Sequence, residues 1–236
     1  MCAAKKSIHE KQRFELIKSV SGFSDADGLM ILEEFQASSK LLLVWVEALR
    51  RYFLTKVADE LLHAVASSIR EAAAFAALGL VRPSLFALRA QLDLMLSWLY
   101  FKDHPVEYKS LCRTGDGFVL KKEALRYFTE NYTGFGEKFG LLSALNSDKF
   151  DVYRLLSAHV HSQSPFVISE VVSLKDVVRE ARLLRQCVTL QGDVAQYLSD
   201  ILFSLGIISN LGLPAAVTEN LTSRLTTDKQ KNIIFQ

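Results

Sequence analysis

Residues 147–166 read SDKFDVYRLLSAHVHSQSPF, and the reading of this stretch decides how the rest of the chain is understood. Asp148 and Asp151 are both candidates for the N-cap of a helix, because a short carboxylate can accept the backbone N–H groups that a first turn leaves unpaired. Val152, Leu155, Leu156 and Val160 give that helix an apolar surface. Pro165 has no N–H to donate and pushes Ser164 out of the helical region, so the pattern predicts an end near 161–163. At about 100° per residue, Arg154 and His161 fall within about 20° of one another on the helix surface. Ser157 lies between them, three residues after Arg154 and four before His161, so the three share one polar stripe. His159 points roughly 140° away from Arg154 on a regular helix.

A fixed guanidinium beside an imidazole that titrates near neutrality is suited to phosphate chemistry. The R-x4–6-H spacing resembles the signature of the HEPN superfamily of all-helical proteins. Arg154 to His159 fits the four-residue spacing and Arg154 to His161 the six-residue spacing. The upstream run ALRAQLDLMLSWLYFKDHPVEY, residues 87–108, is similar to an earlier helix of the same family. The resemblance covers about residues 60–205. It implies metal-independent RNA cleavage at a site built where two such helices meet, hence a homodimer or a related protein partner. Carried over residue by residue, it makes Arg154 the phosphate clamp, His161 the preferred base, His159 the second choice and Ser157 a positioning hydroxyl. It also places Arg89 and Asp93 beside that helix, with Asp93 orienting a catalytic side chain. Leu155 departs from the pattern, since catalytic members often carry a polar residue after the arginine. A non-catalytic HEPN-like module, antitoxin-like or a scaffold in a defence complex, is the alternative to an RNase effector of phage defence or stress response.

Other readings of the same residues are weaker. His159 and His161 have no acidic or cysteine ligand following nearby to complete a metal site. Ser157 has no strained turn to make it a nucleophile. Cations at a helix C-terminus also suit the macrodipole without any further role.

Composition sets the bounds. The 236 residues are 50% hydrophobic and 23% charged, which describes a folded chain. The net charge of +2 supplies no global basic field, so RNA contact requires a local patch. Cys2, Cys112 and Cys187 form no C-x-x-C pair, which predicts neither structural zinc nor a disulfide framework, and no cofactor is expected. The first residues carry no apolar core of the kind a secretion signal needs, and no stretch reaches the length of a membrane span; a cytoplasmic protein is expected.

Periodicity predicts an all-α fold in one domain over 1–236, with N-terminal helices in 5–57 and a C-terminal tail in 213–236; the resemblance implies that its core is a HEPN-like bundle. A short basic helix over 5–20 is expected to break at Ser21, Gly22 and Ser24, with Ser24 or Asp25 capping a second helix over 26–56. Asp59 is expected to cap a helix over 60–80, rich in alanine for close packing. Gly79 should end it and Pro83 start the next helix, 84–101, the usual asymmetry of those residues. Arg89 and Asp93 sit one turn apart there as an intrahelical ion pair. His104 is assigned to a turn. Lys121, Lys122, Arg126 and Tyr127, on a helix over 118–131, suit a surface helix anchored by aromatics, or stacking and charge for single-stranded RNA. TGFGEKFG at 133–140 is no phosphate loop, since no strand precedes it. A long helix over 174–205 is expected, kinked or broken at Gly192, and a last helix over 215–227.

Overall fold

The computed structural model describes residues 7–146, 151–161 and 170–235; Asp148, Ser164 and Pro165 lie outside these residues. Every regular element among the described residues is helical, so the fold is all-α.

The first element corrects the sequence reading. Helix α1 (Ile8–Phe23) does not break before α2 (Leu29–Tyr52); a π-helical turn, Ser24–Gly28, joins them into one rod. The rod is roughly 65–70 Å long at about 1.5 Å per residue. Ser7 begins it with a capping box, accepting from the Glu10 N–H while Glu10 accepts from the Ser7 N–H. Neither Ser24 nor Asp25 is an N-cap, because their backbone is already helical. The π turn puts Gly28 against the end of the next helix, where a Cβ would stand 2.7 Å from the Ala77 carbonyl oxygen. One extra residue in the rod therefore aims a residue without a side chain at a point where the two backbones nearly touch.

Helix α3 (Asp59–Ala77) follows a tight connection in which Lys56 and Ala58 adopt positive φ. Asp59 holds that connection together by accepting from the backbone N–H groups of Thr55 and Lys56, at 3.2 and 2.7 Å, and from the Trp98 indole at 3.2 Å. Burial pushes its carboxyl up, but these donors outweigh burial and hold it below the ordinary value. At the other end Gly79, with φ +79°, closes a Schellman motif in which the Leu80 N–H reaches the Phe75 carbonyl at 2.8 Å. A Cβ there would meet Val178 at 2.7 Å and Phe23 at 3.0 Å.

Helix α4 (Val81–Phe101) packs against α3, and Ala72 and Ala76 bring the two backbones close enough for the Ser84 hydroxyl to donate to the Ala72 carbonyl. Short helices α5 (Pro105–Thr114), α6 (Lys121–Asn131) and α7 (Phe135–Ala144) lead to α8 (Val152–Val160). His104 serves the turn before α5, stacked on Tyr100 at 4.0 Å with Nδ1 against the Tyr100 carbonyl.

The expected helix over 174–205 is two elements. A 3-10 turn, Leu174–Val177, is followed by extended residues and then by α9 (Ala181–Ser204). The Arg179 N–H donates to the Gly79 carbonyl at 2.9 Å, which ties this connection to the end of α3 instead of to a helix of its own. Gly192 does not break α9, which runs through it. A 3-10 turn, Asn210–Gly212, leads to α10 (Ala215–Arg224), and α11 (Asp228–Phe235) ends the described chain.

Helix α9 is the axis of the bundle, packing against α2, α4, α7 and α8. Three polar pins fix its register. Gln191 exchanges paired amide hydrogen bonds with Gln91 of α4, at 2.8 and 3.0 Å, and Ser199 accepts from the Trp45 indole of α2 at 2.8 Å. Asp200 takes a bidentate pair from Arg224 of α10, at 2.6 and 2.9 Å, with further donors from Asn146 and Gln196. Buried polar groups cost free energy unless paired, so each pin excludes neighbouring registers that apolar packing alone would tolerate. One continuous apolar cluster runs from Ile31 to Ile234. No helix among the described residues is long and apolar enough to cross a membrane.

Candidate functional site

Helix α8 is short and held at its start. Asp151 is the N-cap, accepting from the Tyr153 and Arg154 N–H groups at 3.0 and 3.2 Å, and it pairs with Lys121 of α6 at 3.0 Å. Burial raises the Asp151 carboxyl, and Lys121 with the two backbone donors overcomes that and lowers it below its ordinary value. Val152 and Leu156, one turn apart, are buried where α8 meets α4 and α9. His159 continues that inward face. Its Nδ1 is shut off from solvent and has no hydrogen-bond partner among the described residues, and burial lowers its pKa.

Arg154 and His161 are both exposed, and Ser157 between them is half-buried. The Arg154 side chain makes no ion pair among the described residues. His161 is the C-cap, its N–H donating to the Ser157 carbonyl at 2.9 Å. The structure thus leaves Arg154 and His161 on the solvent side of the helix and turns His159 away from them.

Arg89 and Asp93 of α4 form an ion pair, Arg89 being mostly buried and Asp93 half-exposed. Tyr153 of α8 completes this cluster. The Arg89 guanidinium lies 3.6 Å from the centre of its ring, and the Tyr153 hydroxyl donates to Asp93 at 3.4 Å. Partial desolvation raises the Asp93 carboxyl, against the pull of Arg89, of the Tyr153 hydrogen bond and of the nearby His161. Asp93 is therefore within electrostatic reach of His161, while its hydrogen-bond partners are Arg89 and Tyr153. Sequence reading missed Tyr153; its place one residue before Arg154, facing an ion pair on a helix expected to pack there, was the available signal.

Lys121 is drawn inward as well, with its ammonium 4.7 Å from the Tyr153 ring centre and 5.1 Å from that of Tyr197. Tyr127 sits in an aromatic cluster with Tyr100, His104 and Tyr132. Helix α6 is thus an aromatic-anchored surface helix. Lys122 and Arg126 stay exposed on it.

Three cavities lie around this region. One of about 340 Å³ is walled by Lys121, Phe139, Asp151, Asp193 and Tyr197. A second of about 610 Å³ shares Asn146, Asp193 and Gln196 with it and reaches Arg224. A third, of about 460 Å³, lies beside His159 between the start of α4 and the start of α9. None of the three is lined by Arg154 or His161. Among the described residues no group of three or more His, Cys, Asp or Glu side chains could hold a metal ion.

No family model, curated protein or solved structure matches the chain.

Proposed function

We propose that the chain is a HEPN-like, metal-independent endoribonuclease acting as an effector in anti-phage defence or a stress response. The observation that carries the reading is the exposed face of α8, which carries both Arg154 and His161, the latter within electrostatic reach of Asp93. In this scheme the His161 imidazole takes the proton of a ribose 2′-hydroxyl. The resulting oxygen attacks the adjacent phosphorus, and the bond to the 5′-oxygen breaks, leaving a 2′,3′-cyclic phosphate and a 5′-hydroxyl after that oxygen is protonated. Arg154 holds the phosphate oxygens and stabilises the extra negative charge of the transition state by charge-assisted hydrogen bonds. Asp93 steadies the imidazolium, Arg89 and Tyr153 hold Asp93, and Ser157 positions the substrate. His159 has no part in this scheme. A site so open to solvent needs a second wall, which a homodimer facing α8 to α8 supplies.

The non-catalytic reading, an antitoxin-like or scaffold module, is favoured by a different observation: none of the three cavities is lined by Arg154 or His161. Expression in a host cell separates the two. An RNase effector arrests growth, alone or when triggered, and Arg154→Ala in a folded chain abolishes the arrest. Arrest that survives Arg154→Ala removes the catalytic reading.

A further inference from the structure

The cavity beside His159 has a wall chemistry of its own. Its body is aliphatic, formed by Leu80, Val81, Leu85, Val177, Leu183 and Leu190, and its volume of about 460 Å³ lies within the usual range for a small-molecule site. Among the described residues the charged side chains lining it are Arg82 and Arg179, and no carboxylate lines it. Arg82 is exposed at the rim without an ion pair among the described residues. Arg179 spends one side-chain N–H on the Glu170 carbonyl at 3.3 Å. His159 also lines the cavity. The cavity also opens beside the starts of α4 and α9, and neither helix end is capped by a side chain, so both add positive potential. Cys187 in the wall contributes no charge, its thiol being pushed up to about 12 by burial.

We infer that this cavity binds a small molecule with an aliphatic body and a single carboxylate head, the head meeting the two arginines and the His159 ring. Aliphatic walls do not suit a nucleotide, which needs a ring to stack on and acceptors for its sugar hydroxyls. The excess of cationic donors without a carboxylate selects an anion over an amine or an alcohol. This site is independent of the reading given to Arg154 and His161.

Titration calorimetry of the full chain with decanoate, below its micellar concentration, tests it. Decanoate should bind one per chain, with decanol at least tenfold weaker and decyltrimethylammonium not bound. His159→Phe and Arg82→Gln should each weaken decanoate by about tenfold, as expected for loss of a hydrogen bond to a charged group. Arg82 is exposed, so its substitution reads out even if His159→Phe fails to fold. Absence of decanoate binding, decanol binding as tightly, or unchanged affinity in Arg82→Gln and a folded His159→Phe would each overturn the assignment.

Discussion

Replacing Arg224 by alanine should be among the most damaging single changes in this protein, although Arg224 lies at the end of a short helix near the C-terminus. Its guanidinium donates to both oxygens of Asp200, at 2.6 and 2.9 Å, and to the Leu142 carbonyl at 3.4 Å. The Asp200 side chain is 2% exposed and that of Arg224 16%. Arg224→Ala leaves a buried carboxylate with only the Asn146 and Gln196 amides as side-chain donors among the described residues, and removes the clamp joining α10, α9 and α7. Removing one partner of a buried pair costs about 3–5 kcal/mol, because the remaining charge stays desolvated. That is a large share of the 5–15 kcal/mol typical of a folded domain. At roughly 2–4 °C per kcal/mol for a chain of this size, the melting temperature should fall by on the order of 10 °C. Chemical denaturation followed by circular dichroism measures it. The double substitution Asp200→Leu with Arg224→Met should recover most of the loss, since well-packed apolar replacements of buried pairs are often neutral. A loss below about 1 kcal/mol in Arg224→Ala, the size expected for an exposed pair, would refute the reasoning.

Two further predictions concern stability. Gly79→Ala combines a left-handed backbone with a Cβ placed 2.7 Å from Val178, and should cost roughly 2–4 kcal/mol in denaturant unfolding. Burial lowers the pKa of His159 in the folded chain, so the unfolded chain binds more protons. The His159 contribution is then fully present above the unfolded value of about 6.5 and is lost as pH falls below it, at no more than about 1.4 kcal/mol per pH unit. Unfolding measured between pH 7.5 and 5.5 should show this slope reduced in His159→Phe, by about that limit at most; identical slopes in the two proteins would remove His159 as its source.

The helical class was legible because three- and four-residue apolar steps run through nearly every element, and because Gly79 and Pro83 mark a boundary that the backbone obeys. Ser21, Gly22 and Ser24 misled for a physical reason. They weaken a helix locally, but the π turn that carries the rod through them is fixed by Gly28 approaching Ala77, a contact about fifty residues away in the sequence. The 174–205 stretch failed in the same way, since its first part is held by Gly79 and not by its own periodicity. Of the candidate site, helical phase alone separated the outward Arg154 and His161 from the inward His159. The cluster of Tyr153 on Arg89 and Asp93, and the cavity beside His159, arise between helices and leave no short pattern in the chain.

The most direct test of the central claim is cleavage of a defined single-stranded RNA by the purified protein in the presence of EDTA. The account predicts metal-independent cleavage leaving 2′,3′-cyclic phosphate ends. Arg154→Ala and His161→Ala should each reduce it by about 10²–10⁴-fold, the usual share of general-base or oxyanion stabilisation, while folded His159→Phe stays active. Intact RNA with the unaltered protein, or undiminished cleavage by folded Arg154→Ala and His161→Ala, would contradict it.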